Sequence, residues 1–246
     1  MKEKYNNNYF CYLQNCQMFS CAPGKGVFVP YSHVIPDPRF SETLPIPSIG
    51  QDFGPQESPS VPGFCPPHST VESVGAICGR DKGIQGHQNS CYLDATLFSM
   101  FTFSSVFDSL LYRPRGQADI PRYEEVQSLL KDEIVNPLRK NLFVRADKVM
   151  KLRKMLDSLS DVKGLMDQEK DPEEFLSSLL TQVMNVEPFL ELSSGQTAHH
   201  YQLIVDKDPN IVVPSVQDLF DQSFATGSCR VKLKRAPSVL ILQMPR

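Results

Sequence analysis

The sequence lacks any long apolar run. Its uninterrupted apolar stretches are about four residues long, as at positions 239–242, whereas a membrane-spanning helix needs about 20 residues. The first residues, MKEKYNNN, contain no apolar segment of the kind that a secretory signal peptide requires. We therefore expect no membrane span and a reducing, cytoplasmic environment.

A strong net charge and a zinc-type cysteine pattern are also missing. The formal net charge is −3 and 22% of the residues are charged, a balance that argues against nucleic acid or an anionic membrane as the main partner. The seven cysteines are unevenly spaced and include no C-x-x-C pair, and Cys65 with His68 would make only half of a zinc site. We therefore expect no disulfide framework, no metal and no cofactor.

Lysine and arginine are absent from residues 40–79, and this stretch is rich in proline. Nine of the 20 prolines lie between Pro36 and Pro67. Because proline fixes φ and removes a backbone donor, neither a helix nor a central strand is expected there. We predict a proline-rich, disordered linker over residues 41–82, which separates a small apolar island from a longer C-terminal region.

Helical periodicity dominates the first part of that region. Asp171 is a good N-cap, Pro172 suits the first helical position, and Glu174 can complete a capping box. The predicted helices are residues 91–111, 123–134, 148–159 and 172–183, of which the second should stop before Pro137. The basic residues of the third helix are expected to form a solvated face: Lys148, Lys151, Arg153 and Lys154.

Strand-like periodicity follows near the C-terminal end. From residue 199 onward the apolar pattern shifts toward a period of two. The predicted strands are residues 201–205, 211–213, 231–234 and 239–244, with a short helix at 216–224. The mixture of helices and strands indicates an α+β fold.

The loop before the first predicted helix carries the clearest chemical signal. It reads GIQGHQNSCYLD over residues 83–94, and Cys91 lies where the loop meets the helix. A helix N-terminus provides unpaired N–H donors and a partial positive charge, which lower the pKa of a thiol and can stabilise an oxyanion. Cys91 is thus a candidate nucleophile and Asn89 a candidate oxyanion donor. A structural cysteine at a helix start remains the alternative from spacing alone.

Three motifs, in order, resemble the ubiquitin-specific protease family of deubiquitinases. Residues 83–98 resemble its cysteine box, DPEEFL at 171–176 resembles its Asp-x-x-Glu-Phe-Leu helix, and APSVLILQMPR at 236–246 resembles its strand ending in Leu-x-x-Arg. The resemblance implies a papain-like cysteine peptidase domain, mainly its helical front half. It also implies that Cys91 is the nucleophile that cleaves the bond after the C-terminal glycine of ubiquitin, with ubiquitin and polyubiquitinated proteins as partners.

A further resemblance precedes the linker. Residues 19–29, FSCAPGKGVFV, are similar to the closing strands of a CAP-Gly domain. We therefore predict a C-terminal CAP-Gly remnant at 1–40, the linker at 41–82 and the N-terminal part of the protease domain at 83–246. This order of domains implies cytoskeletal or signalling partners and a cytoplasmic, cytoskeleton-associated location.

Two positions in the cysteine box depart from the family pattern. Family members place an asparagine five positions before the cysteine as an oxyanion donor, where this chain has Gly86. Backbone N–H groups, Gln88 or Asn89 would have to supply that donor, and we rank Asn89 first. Asp94 stands where many members have asparagine, and we expect it to be a first-turn charge favoured by the helix dipole.

The general base is the larger departure. A cysteine peptidase needs an imidazole to take the thiol proton and to protonate the leaving amine. The family carries it in a Gly-His-Tyr-like box beyond the Leu-x-x-Arg strand, whereas this sequence ends at Arg246. His199 and His200 precede that strand, and we interpret them as solvated residues.

A second interpretation therefore stays open beside the cysteine-type deubiquitinase. In it, the chain is a catalytically incomplete ubiquitin-binding or scaffold fragment that keeps the cysteine helix and lacks the base. In that case the last strands would lack partners and leave an unpaired sheet edge.

Overall fold

A computed structural model describes residues 16–20, 53, 56–68, 82–203, 215–225 and 232–243. The chain divides into two units. The described part of the first unit runs from Phe53 to Asn185, and the second contains strand β1 (Cys16–Ser20) and the described residues from Val186 onward. Except for β1, the predicted CAP-Gly remnant lies outside the described residues.

Helices form most of the first unit. The α-helices are α1 (Cys91–Phe101), α2 (Ser109–Tyr112), α3 (Tyr123–Ser128), α4 (Asn136–Asn141), α5 (Ala146–Leu159) and α6 (Pro172–Leu176). The short strands β2 (Gly83–Ile84) and β3 (Phe143–Val144) pair in parallel. Within the described ranges, no helix is long and apolar enough to cross a membrane.

Two of the predicted helices are confirmed in detail. The apolar residues Val149, Leu152 and Leu156 of α5 are fully buried, as a 3.6-residue period requires. The predicted capping box is present at the start of α6: the Asp171 side chain accepts from a backbone N–H of the first turn, and Glu174 accepts from the N–H of Asp171 at 3.2 Å. A π-helical segment, Ser177–Val183, extends α6.

The structure divides the first predicted helix, residues 91–111, into α1 and α2. Between them, the guanidinium of Arg139 donates to the carbonyls of Phe101 (2.9 Å) and Ser104 (3.0 Å). A side chain thus satisfies carbonyls that a continuing helix would otherwise have to pair. The break depends on a residue 38 positions away from Phe101 along the chain, which the local pattern cannot reveal.

The second predicted helix continues through Pro137 instead of stopping before it. The helix α3, the π-helical segment Leu129–Val135 and α4 form one continuous run. In a regular α-helix, proline lacks an N–H and crowds the carbonyl four residues earlier. The π-helical turn before Pro137 is wider than an α-helical turn, so the helix accommodates the proline and continues without a break.

Residues 56–68, called the strap below, run extended along the first unit where the sequence led us to expect a mobile chain. Ser58 and Val61 are buried. Glu57 lies 2.9 Å from Arg145 in an ion pair. The rest of the predicted linker, apart from residues 53 and 82, lies outside the described residues.

Two buried side chains hold the strap by its backbone. Asn136 donates from Nδ2 to the carbonyls of Val61 (2.8 Å) and Gly63 (2.9 Å). Arg139 donates to the carbonyl of Cys65 at 2.9 Å. A proline-rich segment cannot pair its backbone regularly in a sheet, and these side chains supply the missing donors.

The second unit is built around the strand β7 (Val239–Gln243). Its other elements are β4 (Leu190–Glu191), β5 (Thr197–Ala198), β6 (Tyr201–Gln202) and α7 (Val216–Ala225). β7 pairs with β1 antiparallel and with β6 in parallel, so it is the central strand of a three-stranded sheet. Leu203, Leu219 and Leu242 form a small buried cluster.

The expectation that this last strand presents an unpaired edge is wrong, because β7 has a partner on each side. One of those partners, β1, comes from residues 1–40, far away along the chain. The predicted strand at 211–213 lies outside the described residues.

Replacing Asn136 with alanine should release the strap. Two backbone carbonyls would lose a buried donor, and we expect the free energy of unfolding to fall by about 1–3 kcal/mol. Urea unfolding measures this change, and the rate of proteolytic cleavage within residues 56–68 should rise in parallel.

Ser60→Ala is the matched control on the strap. Its hydroxyl makes only an exposed bond of 3.4 Å to the carbonyl of Asp132, so we expect a change within about 0.5 kcal/mol. Equal effects of the two substitutions would contradict the anchoring role of Asn136.

Candidate active site

Cys91 is the first residue of α1 and is exposed to solvent. On the same helix, Leu93, Leu97 and Met100 are fully buried. Their burial fixes the helix and keeps its N-terminus, with the thiol, at the surface. The partial positive charge of a helix N-terminus favours the thiolate form of such a cysteine.

Ser90 occupies the N-cap position of α1 without capping the helix through its side chain. Its hydroxyl accepts from the backbone N–H of His87 (2.7 Å) and donates to Asp94 Oδ2 (2.6 Å). A serine at this position commonly accepts from the N–H groups of the first turn. Here Ser90 instead closes the cysteine loop onto the helix.

Asp94 differs from its predicted role as a charged first-turn residue. It is buried, and this burial raises its pKa to about 8, although the hydrogen bond from Ser90 and the charge of Arg153 act in the opposite direction. The carboxyl is therefore mostly protonated at neutral pH. The sequence could not reveal this, because the burial comes from the folding of the loop over the helix.

Gly86 lies against this buried carboxyl. A Cβ atom at position 86 would be 3.0 Å from Asp94 Oδ2 and 3.2 Å from Ser90 Oγ. Both contacts are tighter than ordinary van der Waals packing, so a larger residue would require the side chains of Asp94 and Ser90 to shift by a few tenths of an ångström. A glycine here, where the family has asparagine, avoids that shift.

Asn89 is exposed and has a positive φ of 54°. Its Nδ2 donates to the carbonyl of Asp167 at 2.9 Å. One of its side-chain donors therefore ties the loop to the segment before α6. Its role as an oxyanion donor stays a prediction.

Arg153 is the residue of this region that sequence reasoning missed. The prediction of a solvated face is wrong for it, because its side chain is fully buried. It donates to the carbonyls of His87, Gln88 and Leu165. The signal was present in the spacing: Arg153 follows Val149 by four positions and so lies on the core side of α5.

His87, in the same loop, is half-buried. Burial lowers its pKa, and the nearby charge of Arg153 lowers it further. Its ring is therefore neutral at pH 7. The Nδ1 atom lies 3.4 Å from Arg153 Nη1, so the imidazole and the guanidinium are neighbours.

His199 and His200 are half-buried residues of the second unit. His199 differs from the solvated residue that we predicted. Its Nε2 lies 2.9 Å from the carbonyl oxygen of Val186, and its ring meets Phe189 edge-on at 5.4 Å between centroids. These contacts give His199 a packing role within its own unit.

Within the part of the chain that the structure describes, no three or more His, Cys, Asp or Glu residues could together hold a metal ion. Cys65 and His68, which have the spacing of half a zinc site, both lie in the strap. The ring of His68 packs near that of Phe103, with 6.3 Å between centroids.

Comparison with known proteins finds relatives of the chain. It is 42% identical over 243 residues to ubiquitin carboxyl-terminal hydrolase CYLD of Homo sapiens. The CYLD proteins of Bos taurus and Mus musculus give the same identity over the same length. The chain is thus similar over nearly its whole length to part of a ubiquitin carboxyl-terminal hydrolase. The predicted resemblance of the sequence to the ubiquitin-specific protease family is confirmed for this part of the relatives.

The match covers 95% of this chain and 25% of each relative, so the chain spans about a quarter of the length of the curated relatives it matches. No protein-family model matches the chain. By this homology, the mixed helices and strands described above correspond to part of a domain of the ubiquitin-specific protease type.

Asp94→Asn should change how stability depends on pH. The unfolded carboxyl loses its proton near 3.8, whereas the folded one keeps it up to about 8. Between these values the folded state binds more protons, so the contribution of Asp94 to stability is complete at low pH and is lost as the pH rises. The asparagine variant cannot lose a proton at this position. Its free energy of unfolding minus that of the wild type should therefore increase by at least about 1.4 kcal/mol from pH 5 to pH 8.

Asp119→Asn provides the control in the same urea unfolding experiments. The hydrogen bond from Arg113 lowers the pKa of Asp119 to about 2, so its charge is constant between pH 5 and pH 8. The change in free energy of unfolding that this substitution causes should be the same at pH 5 and at pH 8. An equally constant effect of Asp94→Asn would contradict the protonated state of Asp94.

Proposed function

We propose that the chain is part of a CYLD-like, cysteine-type deubiquitinase that hydrolyses the bond after the C-terminal glycine of ubiquitin. One observation carries the proposal. An exposed cysteine begins a helix that buried side chains hold in place, in a chain that is 42% identical to CYLD over 95% of its length.

In this proposal, Cys91 is the nucleophile. Its thiolate sulfur attacks the carbonyl carbon of the bond to be cleaved, and the electron pair of the C=O bond moves onto the oxygen. The tetrahedral adduct collapses to a thioester and expels the amine, which takes a proton from a general acid. Water then attacks the thioester and releases the ubiquitin carboxylic acid and the Cys91 thiol.

The surroundings of Cys91 support this role electrostatically. Asp94 lies three residues further along α1, close enough for a charge on Cys91 to raise the pKa of its carboxyl. Because burial keeps Asp94 mostly protonated at neutral pH, little negative charge opposes the thiolate. The helix N-terminus adds a favourable partial positive charge.

The proposal also includes the finer predictions from the sequence. Residues 83–246 would be the N-terminal part of a papain-like protease domain, residues 41–82 a linker, and residues 1–40 a CAP-Gly remnant. Asn89 would help to bind the oxyanion. Ubiquitin and polyubiquitinated proteins would be the partners, with cytoskeletal or signalling contacts in a cytoplasmic location. The motif resemblances quoted above support these assignments.

Ubiquitin with a C-terminal vinyl sulfone tests the proposal. We expect it to form a covalent adduct with the chain, detected by mass spectrometry, and Cys91→Ala should abolish that adduct. Cys65→Ala is the matched control, because Cys65 is a half-buried cysteine of the strap. The labelling rate of this variant should stay within about twofold of the wild-type rate.

Polyubiquitin cleavage, assayed in the same samples, separates the two interpretations of the sequence. Cleavage that depends on Cys91 supports the deubiquitinase. Labelling without cleavage supports the catalytically incomplete fragment. The absence of both would overturn the proposed function.

A further inference from the structure

Arg153 lies in an unusual place for a charged side chain. It is on α5, among residues that pack into the core, and its side chain is fully buried. Among the residues that the structure describes, no carboxylate forms an ion pair with it. A buried cation of this kind is costly unless its N–H groups meet good acceptors.

Three backbone carbonyls supply acceptors for Nη1 and Nε, whereas Nη2 is buried without a hydrogen-bond partner among the described residues. Nη1 donates to the carbonyls of His87 and Gln88, the second at 2.7 Å, and Nε donates to the carbonyl of Leu165. Two of the three carbonyls belong to the loop directly before Cys91. Arg153 therefore binds the loop itself and not a charged partner.

These two contacts determine where the N–H groups of the loop point. In a trans peptide the C=O and the N–H point in opposite directions, and the described residues contain no cis peptide bond. Because the carbonyls of His87 and Gln88 face the buried guanidinium, the N–H groups of Gln88 and Asn89 face away from it. They therefore point away from the buried side chain of Arg153.

The conformation of the loop needs such support. Gln88 and Asn89 have φ values of 39° and 54°. Residues other than glycine adopt this left-handed region only at a cost, so contacts elsewhere must hold two of them in succession. The carbonyl contacts of Arg153 hold the first peptide groups of this turn, and the bond from Asn89 to Asp167 holds its end.

Packing also limits where an oxyanion donor can come from. A Cβ at position 86 would meet Asp94 Oδ2 at 3.0 Å, so Gly86 avoids a tight contact at the position where the family carries asparagine, and it offers no side-chain donor. The remaining donors at this position of the loop are backbone N–H groups and the side chains of Gln88 and Asn89. Their placement depends on how the loop is held.

We propose that Arg153 is a positioning residue for the reaction at Cys91. By binding the carbonyls of His87 and Gln88, it turns the following N–H groups toward the oxygen on which negative charge develops when the thiolate attacks. This inference rests on the proposed function and deepens it. It names the residue that orients the oxyanion donors of the same site.

Ubiquitin with a C-terminal aldehyde tests the inference, because its reversible adduct with a thiol resembles the tetrahedral intermediate. Arg153→Lys keeps the positive charge but cannot reproduce the planar fork that binds several carbonyls. We expect the dissociation constant of the aldehyde adduct to rise at least about tenfold. The rate at which iodoacetamide alkylates Cys91, which needs no oxyanion donor, should change less than about threefold.

Arg139→Lys is the matched control. The side chain of Arg139 is also fully buried. It donates to the carbonyls of Phe101, Ser104 and Cys65 and also pairs with the Asp108 carboxylate. Its substitution should therefore lower the urea midpoint at least as much as Arg153→Lys does. Both the aldehyde affinity and the alkylation rate should stay within about threefold of wild type.

The outcomes separate the inference from the function on which it rests. Equal aldehyde affinities of wild type and Arg153→Lys would overturn the inference and leave the proposed function intact. A parallel loss in both lysine variants would also overturn it, since lower stability would then explain the result. A wild-type chain that forms no adduct through Cys91 would overturn the proposed function and the inference together.

Discussion

The burial of one guanidinium, that of Arg153, is the constraint around which the cysteine loop is organised. Removing this charge from water is unfavourable, and the structure compensates for it with backbone carbonyls. Carbonyl dipoles neutralise the charge less completely than a carboxylate would. A positive charge thus remains beneath the loop, and it contributes to the lowered pKa of His87. The shape of the loop thus depends on this buried contact, which also adds to the effect of burial on the pKa of the imidazole.

The same physical device holds the strap. Arg139 and Asn136 donate to carbonyls of extended or irregular backbone, just as Arg153 does in the cysteine loop. These segments make few regular backbone pairs of their own, and unpaired buried carbonyls would destabilise the fold. Buried polar side chains on helices therefore donate the hydrogen bonds that neighbouring strands would provide in a sheet. Because the helices are rigid, these bonds hold the loops in a defined conformation.

Sequence patterns predicted those features that arise from neighbouring residues. The capping box at Asp171, the apolar face of α5 and the placement of Cys91 at a helix start all follow from contacts within a few positions. Three of the errors share one cause. The end of α1 and the anchored strap depend on Arg139, and the protonation of Asp94 depends on burial beneath its own loop. Each involves a partner or an environment that the local pattern does not contain.

The sequence by itself thus determined the family resemblance, two of the helical segments and the cysteine that the resemblance assigns as nucleophile, because short motifs and periodicity record local requirements. Only the tertiary structure decided that Arg153 binds carbonyls of the cysteine loop, that Asp94 is mostly protonated at neutral pH and that β7 is paired on both sides with strands distant in sequence. The physical reason is that burial and long-range pairing belong to the folded chain as a whole. The free energy of a charge or a strand edge depends on neighbours that only folding brings together.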